Sequence, residues 1–346
     1  MMRCPRFKYR APRSLDEASA ILRDEGRDAM LLAGGTDLVP NMKRRQQTPR
    51  VVVSLRRIAE LRARSSDGKG IRLGATLTLS DLVADPRVRS DHPALFRAAV
   101  QVATAHLRNR GTLGGNLCLD TRCNYYDQNY EWRKAIDFCM KKDGAICWVA
   151  PGSSRCWAAS STDSAPALMA LGGEVTLVSS RGERSIPVGA LFRDDGIEYL
   201  DRKPDEILTS VRIPAPLPGS HSTYWKLRRR GSFDFPVLSV AAWMRRGRHG
   251  TVEDARLVLG SVSSRPLQVP AASRLIGRVL DNDAIEEVAE EASRMAKPLD
   301  NTDFVLGWRK RAARHLIKGA LRELRGDNPD SLGPLSRRAG ELVPVG

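Results

Sequence analysis

Arg110-Gly111-Thr112-Leu113-Gly114-Gly115-Asn116-Leu117 opens the segment around which the rest of this chain is organised, and Ser161-Thr162-Asp163-Ser164-Ala165-Pro166 closes it. Between them lie Cys123, Cys139, Cys147 and Cys156, among Trp132, Trp148, Trp157 and the pair Tyr125-Tyr126. With Cys118, five of the chain's six cysteines crowd into this segment. The stretch between the outer cysteines is polar and aromatic with little apolar periodicity, so it needs an internal staple to stay ordered. Four thiolates on a metal or an iron–sulfur cluster would supply one. The spacing Cys123-x15-Cys139-x7-Cys147-x8-Cys156 holds neither the close pairs of structural zinc nor the compact ferredoxin run. The metal is therefore open, and the competing reading is four unrelated thiols in a surface loop. Cys118 and Cys4 read as bystanders.

A second glycine loop, Ala33-Gly34-Gly35-Thr36-Asp37, follows the short apolar run Met30-Leu31-Leu32. Neither loop fits the GxGxxG or Walker A pattern, so a conventional Rossmann or P-loop site is not indicated. Both still have anion-binding chemistry. Adjacent glycines let several backbone N–H groups turn toward one point, and Thr or Asn side chains add donors. Two such loops could hold a diphosphate between them, whereas either alone reads first as a tight turn.

The remaining composition narrows the classes. A chain of 346 residues, 42% hydrophobic and 28% charged, is an ordinary globular protein of two or three domains. No apolar run is long enough to span a bilayer, and MMRCPRFKYRAPR lacks the apolar core of a secretory signal. A cytoplasmic location with reduced thiols is expected. The net charge of +16 raises the question of nucleic acid, but the basic residues are dispersed and no helix-turn-helix, zinc-finger or RNP-like pattern accompanies them. A solvated basic surface, suited to an acidic partner, is the preferred reading.

In chain order, Ser14-Leu15-Asp16-Glu17 is a capping box ahead of a helix, and strands at 30–33 and 51–55 complete a β-α-β unit. A strand is expected at 71–76, a short helix capped by Ser80, and a longer helix over 93–105. A helix at 165–171 precedes a hairpin of 174–179 with 184–187. Pro214, Pro216, Pro218 and Gly219 mark a domain boundary near 217. Beyond it come a strand at 223–228, a hairpin of 238–244 with 255–262, and helices at 281–296 and 305–324.

Together these residues resemble the FAD-binding subunits of the molybdenum hydroxylases, the xanthine dehydrogenase family. The resemblance runs from about residue 6 to 325. It rests on Leu32-Ala33-Gly34-Gly35-Thr36-Asp37-Leu38, the turn from Arg110 to Leu117, Asp163-Ser164-Ala165-Pro166-Ala167-Leu168, and Lys226 ahead of Asp234-Phe235-Pro236. It implies an α+β fold: a two-subdomain FAD-binding domain of the PCMH/vanillyl-alcohol-oxidase type, then a smaller α+β domain with a three-stranded sheet and helices. The implied parts are 1–56, 57–217 with a cysteine insert at about 118–158, a C-terminal domain at 218–325, and a loose tail at 326–346. The insert is similar to that of the 4-hydroxybenzoyl-CoA reductase beta subunits, which carries a [4Fe–4S] cluster.

The resemblance assigns roles to particular residues. Ala33, Gly34, Gly35, Thr36, Asp37 and Leu38, with Thr112, Gly114, Gly115 and Asn116, would cradle the FAD diphosphate and ribityl chain. Thr76 would be a further contact, Asp163 would hydrogen-bond the flavin side, and Lys226 would lie near the isoalloxazine ring. Asp163 reads equally as a helix N-cap, and the sequence alone favours Lys226 as an exposed strand lysine. Cys123, Cys139, Cys147 and Cys156 would ligate the cluster. No catalytic residue is implied on this chain. A large molybdenum-cofactor subunit and a small [2Fe–2S] subunit would be its partners, in a dimer of heterotrimers. Reduced ferredoxin would be the electron donor for dehydroxylation of 4-hydroxybenzoyl-CoA to benzoyl-CoA. The alternatives are the same relay with reversed flow in an oxidising aromatic or CoA-ester hydroxylase, and a zinc-stapled basic nucleic-acid-binding module.

Overall fold

The computed structural model describes residues 3–332 apart from 298, 300 and 302–305. Three sheets organise it. The first holds β1 (Lys8–Arg10), β2 (Ala29–Leu32) and β3 (Val51–Ser54), all parallel, in the order β1-β3-β2. β3 is buried along its whole length, which is why a continuous Val run suits the centre of a parallel sheet. β1 is an edge strand exposed at every position, so no burial pattern announces it in the sequence. The helix Leu15–Glu25 starts where the capping box places it, with Ser14 Oγ accepting from the Glu17 N–H.

The second sheet is antiparallel in the order β4-β5-β8-β6-β7, built from β4 (Arg64–Asp67), β5 (Gly70–Gly74), β6 (Glu174–Ser179), β7 (Gly182–Pro187) and β8 (Ile207–Pro214). β8 inserts between β5 and β6, a long-range pairing that joins chain on either side of the cysteine segment. Two helix boundaries depart from expectation. Thr78, not Ser80, caps the helix Leu79–Ala84, forming a full capping box with Asp81. The helix expected over 93–105 ends at Val100. Ala103 adopts a left-handed backbone, and Thr104 then caps a separate turn at Ala105–Arg108.

The third sheet has four strands, not three: β9 (Ser220–Leu227), β10 (Leu238–Arg246), β11 (Val252–Gly260) and β12 (Leu267–Gln268), in the order β12-β11-β10-β9. β12 is only two residues long, too short for any periodicity to show. Alternation along β10 divides two cores. Ala241 and Trp243 face a cluster shared with the helices Pro93–Val100 and Ser164–Ala170. Val240, Ala242 and Met244 face the helices Asn282–Met295 and Leu306–Arg325. Gly319 lets the last helix approach closely, since a Cβ there would stand 2.5 Å from the Trp225 ring. The chain beyond Arg325 is not loose at its start: Asp327 pairs with Arg322 and Arg325, and Pro329–Leu332 forms a helical turn. Val305 and residues 333–346 lie outside the described residues. Among the described residues no helix is long and apolar enough to cross a membrane.

Candidate cofactor site

The two glycine loops meet. A Cβ on Gly34 would stand 2.0 Å from the Arg110 carbonyl oxygen, so only glycine permits the contact. Gly114 also packs closely on Ala75, where a Cβ would lie 2.8 Å from the alanine methyl. Around this junction is a cleft of about 570 Å³, within the usual range for cofactor pockets. Ala33, Gly34, Gly35, Thr36, Asp37, Leu38, Thr76, Thr112, Gly114, Gly115, Asn116 and Asp163 all line it. Lys226 does not.

The loops contribute differently. In the second, Gly114 N–H donates to Ala75 O at 2.8 Å and Gly115 N–H to Thr112 Oγ1 at 3.1 Å. Most of its amides are spent inside the protein, so this turn chiefly shapes the wall. Within the first loop the Gly35 and Thr36 N–H groups meet no protein acceptor among the described residues, leaving them for an anion. Thr76 Oγ1 is likewise buried against the cleft without a partner. A buried, unsatisfied hydroxyl is costly unless something else bonds it.

Asn116 joins the two sequence motifs. Its Oδ1 accepts from Thr162 Oγ1 at 3.0 Å, Ser164 N–H at 3.0 Å and Ser164 Oγ at 2.6 Å. Asp163 occupies the N-cap position of the helix Ser164–Ala170 but does not cap it. Its carboxylate instead accepts from Tyr224 OH at 2.6 Å and Lys226 Nζ at 2.9 Å. Lys226 is thus no exposed lysine: its ammonium is buried, and donates also to Gln101 O at 3.0 Å. Burial raises the Asp163 pKa against the pull of Lys226, and burial lowers that of Lys226 against the pull of Asp163. This pair ties the cleft floor to β9 of the C-terminal sheet.

Residues the sequence did not single out complete the mouth. Arg122 pairs with Asp37 and, at 3.3 Å, with Asp127, and lies 4.7 Å from the Phe235 ring. Phe233 and Phe235 line the cleft from the β9–β10 loop. Arg122 sits immediately before Cys123, and that adjacency was the one available signal. Ser161, in the Ala159-Ser160-Ser161 stretch, also lines the cleft.

The four cysteines are buried, unbridged and gathered on one small cavity beneath this wall. Burial pushes the Cys123 thiol up to about 12 and that of Cys156 up to about 11. The cavity is about 10 Å³, the scale of one water. Among the described residues no group of three or more His, Cys, Asp or Glu stands where it could hold a metal ion. Cys118 lines the large cleft, and Cys4 packs beside Leu38, Met42 and Val52.

Two glycine loops thus close on one cleft, backed by a separate antiparallel domain. The chain belongs to the family of FAD-binding domains in molybdopterin dehydrogenases, whose model matches residues 5–216; residues 222–324 match the CO dehydrogenase flavoprotein C-terminal domain. The carbon monoxide dehydrogenase medium chain of Hydrogenophaga pseudoflava is 29% identical over 92% of this chain and 96% of its own length. The aldehyde oxidoreductase FAD-binding subunit PaoB of Escherichia coli is 32% identical over 70% of this chain and 78% of its own. Among solved structures, carbon monoxide dehydrogenase from H. pseudoflava superposes with a TM-score of 0.77 at 27% identity, covering 93% of this chain and 98% of that one. The protein is therefore an FAD-binding subunit of a molybdenum hydroxylase-type oxidoreductase. No finding supports the nucleic-acid-binding alternative.

Proposed function

We propose that the cleft between the glycine loops holds FAD and that this chain serves as an electron-carrying subunit beside a large molybdenum-cofactor subunit and a small [2Fe–2S] subunit. The observation that carries the reading is the gathering of both loops, Thr76 and Asp163 on one cleft of about 570 Å³. The residues fit the cofactor: free amides on the first loop, an orphaned Thr76 hydroxyl, and a glycine contact that no Cβ allows. FAD bound there supplies one- and two-electron chemistry. The chain's own residues bind its polar parts, exclude water and fix its orientation. The Asp163–Lys226 pair holds the floor rigid, because neither charge can leave without stranding the other.

The four cysteines are the proposed ligands of a [4Fe–4S] cluster. Four buried, unbridged thiols on a common cavity are the right donor set. On this reading the complex is a 4-hydroxybenzoyl-CoA reductase, a dimer of heterotrimers drawing electrons from reduced ferredoxin, which the basic surface suits. A second reading has a specific observation in its favour. The relatives named above include a carbon monoxide dehydrogenase and an aldehyde oxidoreductase, names that suit an oxidising complex with electrons flowing outward.

The test is the visible spectrum of protein purified without oxygen, with iron and acid-labile sulfide assayed on the same sample. Flavin bands with iron near four per chain support both cofactors. Flavin without iron removes the role given to the cysteines, and a colourless protein removes the whole reading. Turnover of the complete complex with reduced ferredoxin and 4-hydroxybenzoyl-CoA then separates the two directions of flow.

A further inference from the structure

We infer that Arg122 is a cofactor-positioning residue that binds the flavin cofactor and poises its reduction potential, an inference that rests on FAD occupying the cleft. The segment from Asp120 to Cys123 is a wall with alternating faces. Asp120 and Arg122 line the large cleft, while Cys123 lines the small cysteine cavity and Thr121 Oγ1 turns to Gly196 O at 2.5 Å. Arg122 is anchored at its backbone by two hydrogen bonds to Ala159, of 2.8 and 2.7 Å. Its side chain is only 10% exposed.

The guanidinium is held from three directions and keeps one donor unpartnered. One terminal nitrogen meets Asp37 of the first glycine loop. The other lies 3.3 Å from both Asn41 Oδ1 and Asp127 Oδ1. Phe235, from the C-terminal domain, covers it at 4.7 Å. The buried Nε has no hydrogen-bond partner among the described residues. A guanidinium has five N–H donors in a rigid fork, and a buried donor without an acceptor is costly. An oxygen of the cofactor, in the cleft that Arg122 lines, is the acceptor that completes it. Its charge offsets Asp37 and Asp127, and without it the two carboxylates beside the cleft would disfavour the reduced, more negative flavin.

The test uses the full chain with FAD bound, and reads flavin retention after desalting and the flavin midpoint by equilibrium reduction against a reference dye. Arg122→Met should retain less flavin, and the reduced-to-oxidised ratio at a fixed potential should fall at least tenfold, about 30 mV for two electrons. Arg122→Lys, which keeps the charge but not the Nε donor, should restore the midpoint more than the retention. Asp37→Asn removes the counter-charge and should raise the midpoint. An unchanged midpoint in flavin-bound Arg122→Met makes Arg122 a strut only and overturns the inference. If Arg122→Met holds no flavin, the Asp37→Asn shift decides: a rise supports the inference and no change overturns it. Absence of flavin from the unaltered protein would overturn the cleft reading itself, and with it this inference, before any variant is compared.

Discussion

Gly34→Ala tests the junction on which the cofactor site depends. The added Cβ would lie 2.0 Å from the Arg110 oxygen, 2.7 Å from its carbonyl carbon and 3.0 Å from Gly111 Cα. Real Cβ contacts stay above 3.0 Å, so the loops must part by at least 1.0 Å, the difference between 3.0 and 2.0 Å. The obstacle is backbone, which cannot swing aside as a side chain would. Overpacking of this kind costs about 1–3 kcal/mol, and if it falls on the cofactor-bound form it weakens flavin binding roughly 5- to 150-fold. The assay is bound flavin per chain after desalting, with the dissociation constant from fluorescence quenching. Gly26→Ala is the control: its φ of 55° makes alanine strained, yet nothing lies within 4 Å of the new Cβ and Gly26 itself does not line the cleft. That variant should lose stability by about 1 kcal/mol and keep its flavin. If Gly34→Ala retains as much flavin as Gly26→Ala, the loop junction does not govern the site.

Asn116→Ala removes the acceptor of three hydrogen bonds linking the glycine turn to the Thr162–Ser164 turn, so it should cost about 1–3 kcal/mol in chemical denaturation and reduce flavin content. Lys226→Met strands the buried Asp163 carboxylate and should destabilise the protein by about 3–5 kcal/mol at neutral pH, with Asp163→Asn in the same chain recovering much of the loss. The pH dependence has a definite sign. Burial holds the folded Asp163 pKa above its ordinary 3.8, and removal of the ammonium raises it further, so the folded variant takes up a proton before the unfolded chain does. Its deficit relative to the unaltered protein should therefore shrink as pH falls from 7 toward 4, and a deficit that grows would refute the burial account. Cys123→Ser should lose iron from anaerobically purified protein while keeping flavin; retained iron would refute the proposed ligand set.

The local features were legible in the sequence. Ser14 capped its helix, Val51–Ser54 formed a buried strand, and the two glycine loops stood out, because caps, short apolar runs and glycine pairs act over a few residues. The motif residues 33–38, 112–116 and 163 were legible as a set only through their resemblance to a family. Physical patterning could not say that they share one cleft. That was decided by β8 entering the second sheet between β5 and β6, and by the Gly34–Arg110 contact across 76 residues of chain, from 34 to 110. The same holds for Lys226. Nothing in Tyr224-Trp225-Lys226 distinguishes a surface lysine from a buried one, and only the packing of β9 on the helix after Asp163 brings the ammonium to the carboxylate. Arg122 shows the limit most clearly. Its partners come from three separate stretches, Asp37 with Asn41, Asp127, and Phe235, and a charge's role is fixed by what surrounds it in space rather than by its neighbours in sequence.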